Sequence, residues 1–151
     1  VVPVGGLSAP DPQPGLDRLL AAQIGPALGR SGRTCLTDYP AAQAARARVS
    51  PRTDGVEVAQ RFELYIDGVE LANGFQELTD AAEQGRRFEA ERRHRAASGL
   101  PDVPADTRLL AALEHGLPEC SGVALGVDRL VVLAAGAASI SEVLAFPFDW
   151  A

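Results

Sequence analysis

The chain has no methionine, two cysteines, two histidines, one tryptophan and no excess of positive charge in its 151 residues. Each shortage closes off a class of protein. Cys35 and Cys120 lie far apart and outside any CxxC pattern, so neither a disulfide framework nor a zinc site is indicated. Both read as small core residues. His94 and His115 have no acidic or serine partner at a telling spacing, and neither is assigned as nucleophile or general base. The formal charge of −6 argues against broad nucleic-acid binding, which needs a basic surface to neutralise phosphates. An acidic chain can still grip a phosphorylated ligand locally. No apolar run is long enough to span a bilayer and no charged-then-apolar signal opens the chain, so the expectation is a cytoplasmic protein without membrane contact.

Apolar residues make up 46% and charged residues 23%, the balance of a soluble globular protein with one core. The missing methionine and the Pro/Gly-rich opening VVPVGGLSAPDPQPG suggest a piece of a longer chain. Residues 1–15 are expected as a tail or linker, with the folded part over 16–151.

Leu16, Leu19, Leu20 and Ile24 recur at helical spacing, which predicts a helix over 16–28 stopped by Gly29. Thr34 to Tyr39 reads as a short strand closed by Pro40. Two β-rich runs, 61–66 and 69–75, flank Asp67-Gly68, a pair that favours a type I′ hairpin. Asp80 with Glu83 makes a capping-box pattern for a helix running to Gly99, and 106–115 closed by Gly116 reads as a shorter helix. A strand over 122–127, a helix from Asp128 to Gly136 and a last edge strand over 142–148 complete the expectation. Together these elements predict an α+β fold, an antiparallel sheet with flanking helices.

With Asp67-Gly68 as the turn, Tyr65 faces Glu70, Leu64 faces Leu71 and Glu63 faces Ala72. Glu63 and Glu70 then share a face as diagonal neighbours, roughly 7 Å apart or less at the β-carbons. Two such carboxylates can hold Mg²⁺ together with phosphate oxygens, or they can simply face solvent on a half-buried hairpin. Strict alternation puts Asn73 on the opposite face, and only a bulge, for which Asn73-Gly74 is the candidate, would bring it round. Glu77, just before the helix cap, can receive a substrate ammonium or merely support the helix N-terminus.

SGVALGVDRLVVL carries Gly122 and Gly126, which permit close approach of a flat ligand, and Arg129, suited to a phosphate or a purine. The alternative is relief of crowding and an internal salt bridge. The arginines between 80 and 98 alternate with glutamates and read chiefly as a solvated face.

RFELYIDGVELANGFQELTD and SGVALGVDRLVVL, followed by EVLAFPFD, together resemble the final third of the class II lysyl-tRNA synthetase catalytic domain over residues 34–150. ELANGFQELTD and Ala124 are most similar to the elongation factor P lysine (β-lysine) ligase branch, although that branch usually has histidine where this chain has Gln76. The resemblance implies that residues 16–151 are the C-terminal portion of such a domain. It also implies ATP and Mg²⁺ held by Glu63 and Glu70, a nucleotide site lined by Leu71 and Gly126, and Arg129 on the ATP phosphates as the catalytic group. Asn73 and Glu77 would bind lysine or β-lysine, and the methyl of Ala124, where lysyl-tRNA synthetases carry glycine, goes with β-lysine. The implied reaction is an aminoacyl adenylate followed by transfer to a lysine of elongation factor P, in a full-length homodimer. A piece of a lysyl-tRNA synthetase acting on tRNA-Lys, or a non-catalytic binding module, are the alternatives. The segments binding the α-phosphate and building the dimer would precede Val1, so this stretch alone is expected to be poorly active.

Overall fold

A computed structural model of the chain describes residues 2–3 and 13–148. Its centre is a six-stranded sheet of β1 (Val2–Pro3), β2 (Arg33–Pro40), β3 (Val49–Pro51), β4 (Glu57–Ile66), β5 (Val69–Gln76) and β6 (Ser121–Leu125). The strands run in the order β1-β2-β4-β5-β6, with β3 also paired to β4, and every pairing is antiparallel except β1 with β2. Helices α1 (Gln13–Leu19), α2 (Ala81–Ala97), α3 (Thr107–His115) and α4 (Val127–Ala135) accompany it, in keeping with the expected α+β architecture. Residues 1, 4–12 and 149–151, which include most of the expected tail, lie outside the described residues.

Local chemistry accounts for most boundaries. Asp67 and Gly68 both take positive φ, 50° and 78°, as a type I′ turn requires, and β4 and β5 fold back on each other there. The Asp80 carboxylate accepts from the Glu83 amide to start α2, and the Asp106 carboxylate accepts from Arg108 and Leu109 to start α3. Gly136 closes α4 in the left-handed region.

Three expectations are corrected. The predicted helix over 16–28 is not one regular helix: α1 passes into a π-helical turn (Leu20–Ile24) and a 3₁₀ turn (Gly25–Ala27). Pro26 has no N–H to continue the ladder, and the Gly25 amide reaches back to the Leu20 carbonyl instead. No strand forms over 142–148; the segment opens with a 3₁₀ turn (Ile140–Glu142) fixed by a reciprocal Ser139–Glu142 capping box, and Pro147 removes a ladder donor. Cys120 is exposed and Cys35 half-buried, so neither is the fully buried residue expected.

The core gathers Leu36, Tyr39, Ala44, Ala47, Ala59 and Tyr65, with Leu20, Leu28, Val49 and Phe75 packed on it. It lies on the sheet face that carries Glu63. Toward the far edge the burial falls away: Val123, Leu125, Val127, Leu130 and Val131 are all exposed.

Glycine has different surroundings in the sheet and in α2. A β-carbon at Gly74 would lie 2.7 Å from the Phe62 ring and 2.8 Å from the Gly122 carbonyl, neither of which can yield easily, whereas one at Gly85 in α2 meets nothing within 4 Å. Gly74→Ala should therefore cost about 1–3 kcal/mol through overpacking, and Gly85→Ala should stabilise by about 0.5–1 kcal/mol through helix propensity. Urea denaturation of the two variants beside the wild type tests both signs at once.

Candidate active site

The site rests on a departure from regular pairing. Ile66 faces Val69 and Tyr65 faces Glu70 as expected, but the next pairs are Leu64 with Ala72, Glu63 with Asn73 and Arg61 with Phe75. Leu71 is the extra residue, a bulge on β5, so the expected pairings Leu64–Leu71 and Glu63–Ala72 are replaced. The shift turns Asn73 onto the face of Glu63 and Glu70. The bulge that this required is present, two residues earlier than Asn73-Gly74. β6 continues the face, with Ala124 opposite Asn73 and Gly122 opposite Phe75.

Glu63 is buried, 8% exposed, and its carboxylate is engaged on both oxygens. Arg61 donates to Oε1, Asn73 Nδ2 lies 3.4 Å from the same oxygen, and the Tyr65 hydroxyl donates to Oε2 at 2.7 Å. Arg61 also donates to Asn73 Oδ1 at 3.3 Å and the Gln43 carbonyl at 3.3 Å, with its guanidinium stacked 4.5 Å from the centre of the Tyr39 ring. Burial and the neighbouring Glu63 charge push the Tyr39 and Tyr65 phenols well above their ordinary range, so both stay protonated. The Tyr39 hydroxyl sits beside Glu63 without a hydrogen bond of acceptable geometry.

Glu70 is different. Among the described residues its carboxylate pairs with Arg129, at 3.8 Å, while the Arg129 guanidinium donates to the Glu70 backbone carbonyl at 2.8 Å. Burial first, and then the Glu63 charge, raise the Glu70 carboxyl above its usual value, with Arg129 and Arg61 pulling the other way. A carboxylate with open lone pairs beside a second negative group suits a hard divalent cation, and Glu63 has little acceptor capacity left for one. Among the described residues no group of three or more His, Cys, Asp or Glu could hold a metal unaided. The donor set therefore fits a cation held chiefly by Glu70, the remaining ligands coming from phosphate and water.

The remaining candidates border this centre. Leu71 is buried and its carbonyl accepts from the Gly126 amide at 2.8 Å, which joins the bulge to the start of α4. Ala124 is exposed on β6. Glu77 lies beyond β5, where its amide donates to the Cys120 carbonyl at 3.0 Å and its carboxylate stands 3.9 Å from Arg46. Arg46 and Ala47 are held in place from α2, whose Arg87 donates to the carbonyls of Ala45 and Ala47 while pairing with Glu83. Neither of the two best-formed cavities, of about 440 and 270 Å³, includes Glu63 or Glu70; Gly122 lines the first and Glu77 the second. The carboxylate face is an open platform.

Arg61 and Tyr65, which hydrogen-bond Glu63, and Tyr39, whose ring lies under the Arg61 guanidinium, are residues that the motif reading passed over. Alternation along β4 already put Arg61, Glu63 and Tyr65 on one face, so that signal was available. Tyr39 had none, because it reaches the site across an irregularity at Asp38, whose φ is 58°.

A family model for class II tRNA synthetases (D, K and N) matches residues 29–149. Among curated proteins, the elongation factor P--(R)-beta-lysine ligases of Klebsiella pneumoniae (strain 342) and of Hamiltonella defensa subsp. Acyrthosiphon pisum (strain 5AT) are 56% and 54% identical over 134 residues, 89% of this chain and 41% of each relative. The ligase of Proteus mirabilis (strain HI4320) is 55% identical over 132 residues, 87% of this chain and 40% of the relative. The chain thus spans about two fifths of the length of the relatives it matches.

Two changes test the electrostatics. Arg61→Met leaves Glu63 without its cation and should cost roughly 2–3 kcal/mol in chemical denaturation, less than a fully buried pair would; adding Glu63→Leu should recover most of it. Glu70→Gln should raise the melting temperature of the ligand-free protein at neutral pH. The folded-state affinity of Glu70 for a proton is raised, so its ionised form opposes folding above that value and the penalty fades as the pH falls through it. The advantage of Gln should shrink on acidification, and an advantage that persists at low pH contradicts the assignment.

Proposed function

This chain belongs to the class II tRNA synthetase family (D, K and N), and on that premise we propose that it is the part of an elongation factor P β-lysine ligase that holds the amino acid and the metal-bound nucleotide. The observation that carries the reading is the single face uniting Glu63, Glu70, Asn73 and Ala124 across β4, β5 and β6, with the carboxylate of Glu77, just beyond β5, reaching it beside Gly122. The relatives named above are ligases of this kind.

Along β6, the small residues Gly122, Ala124 and Gly126 run from the Glu77 end toward Arg129, a span of about 13 Å at strand rise. Glu77 would take the side-chain ammonium of lysine or β-lysine at one end. Asn73, oriented by Arg61 and Glu63, would hydrogen-bond the amino-acid backbone, and the Ala124 methyl would narrow the floor beside it. Arg129, anchored to the Glu70 carbonyl, would lie against the phosphates of ATP, with Leu71 and Gly126 beside the nucleotide. When bound, ATP with Mg²⁺ would supply an adenylyl group to the amino-acid carboxylate with pyrophosphate as the leaving group, and the aminoacyl group would then pass to a lysine amine of elongation factor P with release of AMP. Glu70, with charge support from Glu63, would hold that cation. Residues 16–151 in this reading are the C-terminal portion of the catalytic domain of a cytoplasmic protein that works as a homodimer. No helix among the described residues is long and apolar enough to cross a membrane.

Catalysis in such a site is positioning and charge stabilisation, which needs every anchor in place at once. The test is ATP–pyrophosphate exchange by the full-length protein carrying this sequence, with β-lysine and α-lysine, followed by transfer to purified elongation factor P or tRNA-Lys. The expected result is exchange favouring β-lysine and label appearing on elongation factor P. Charging of tRNA-Lys instead, or no lysine-dependent exchange, overturns the reading. Glu77→Gln should raise the KM for the amino acid roughly 10- to 100-fold, the loss of one charge-assisted contact.

A further inference from the structure

We infer that Gly122 is a positioning residue for amino-acid selection: its missing side chain is the seat in which the Glu77 carboxylate rests, so the hydrogen at position 122 fixes where a substrate ammonium is received. The inference deepens the reading of Glu77 given above and rests on it.

A β-carbon built at Gly122 would stand 2.8 Å from Glu77 Oε1 and 3.9 Å from Glu77 Cδ. Among the described residues beyond its chain neighbours, no ring, backbone or core side chain lies within 4 Å of it. This is the reverse of Gly74, where an added methyl meets a ring and a carbonyl that cannot yield. The backbone of Gly122 also asks nothing special, since it lies within β6 and is absent from the positions of positive φ. Neither strand conformation nor core packing requires glycine here. What requires it is the tip of one flexible acidic side chain lying flat on the strand.

That carboxylate is held by everything around it except a strong partner. The Ala47–Glu77 bridge, the Glu77 amide on the Cys120 carbonyl and the Leu78 amide on the Arg46 carbonyl fix its backbone from both sides. Its side chain is 22% exposed, and the cation paired with it among the described residues, Arg46, is half exposed at 3.9 Å and lies over the Phe75 ring at 5.8 Å. At that distance and exposure Arg46 is a loose counter-ion, which a substrate ammonium can displace at little cost. A methyl at position 122 would lift the carboxylate off β6 by about an ångström, and charge-assisted hydrogen bonds lose strength steeply with such displacement. Because the displaced atom ends a flexible chain, the fold would barely register the change. Recognition would.

The experiment uses the full-length protein and compares Gly122→Ala, Glu77→Ala and the double variant by thermal unfolding, by calorimetric dissociation constants for β-lysine and lysine, and by exchange kinetics for amino acid and ATP. Expected is a melting temperature for Gly122→Ala within a few degrees of wild type, a KM and Kd for the diamino acid raised about tenfold, and an unchanged KM for ATP. A substrate analogue of the same length without the terminal ammonium should be indifferent to the change. The double variant should bind no worse than Glu77→Ala, since Gly122 acts only through that carboxylate. If Glu77→Ala weakens binding while Gly122→Ala does not, or if the two effects add, the inference fails and the reading of Glu77 stands. If Gly122→Ala unfolds the protein, the added methyl meets more than the carboxylate and the inference fails. If Glu77→Ala leaves amino-acid binding unchanged, the reading of Glu77 fails and takes the inference with it.

Discussion

Glu63 sits under one-tenth exposed in the middle of a sheet, and a buried carboxylate is tolerated only where donors surround it. That requirement organises the face. Arg61 arrives from two residues earlier on the same strand and Tyr65 from two residues later, so β4 alone supplies a cation and a hydroxyl. The third donor, Asn73, comes from β5, and it arrives only because Leu71 is squeezed out of the pairing. Without the extra residue Ala72 would stand opposite Glu63 and Asn73 would point to the other side. The bulge, the clamp on Glu63 and the orientation of the Asn73 amide are therefore one constraint with three consequences.

The same constraint sets the two hairpin carboxylates apart. Their sequence signals are nearly alike, each a glutamate on an alternating strand, yet one is saturated and the other open. Glu63 spends its lone pairs on protein donors and acts as a strut that also contributes charge. Glu70 feels that charge, retains its own lone pairs and is held at the rim by the Arg129 contact to its backbone. The proposed uptake and release of a metal-bound nucleotide would need one such uncommitted acid, and fixed donors around the other would keep the platform from rearranging as the ligand comes and goes.

What was legible in the sequence was whatever is decided within a few residues. Asp67-Gly68, Asp80, Asp106 and Gly136 each announce a turn or cap whose hydrogen bonds close locally, and each is found where that chemistry put it. The shared face of Glu63 and Glu70 survived because it depends on the two pairs next to the turn. The bulge that brings Asn73 round was expected at Asn73-Gly74 and lies at Leu71, because a bulge is set by how three strands fit together and nothing in ELANG states which residue will be displaced. The run 142–148 looked like a strand on composition, but a strand needs a partner edge, and a capping box with a proline left the segment without the regular donors to find one. Tyr39 was invisible for a third reason: its approach to Arg61 spans two strands and an irregular residue, so no spacing along the chain encodes it.

Glycine shows how far the same letter can carry different meanings. Gly74 and Gly122 are near neighbours across the β5–β6 ladder, with Gly122 paired to Phe75 and its carbonyl facing the empty side of Gly74. On one side of the sheet the missing side chain makes room for the Phe62 ring, which is packing and belongs to stability. On the other it makes room for a charged tip, which adds nothing to the core. Neighbouring positions of one ladder thus serve the two purposes on opposite faces. The core cluster shares the Glu63 face with the site, so what keeps the demands of the fold from competing with those of the site is distance along the sheet: burial is deepest over β2 and β4 and falls away toward β6.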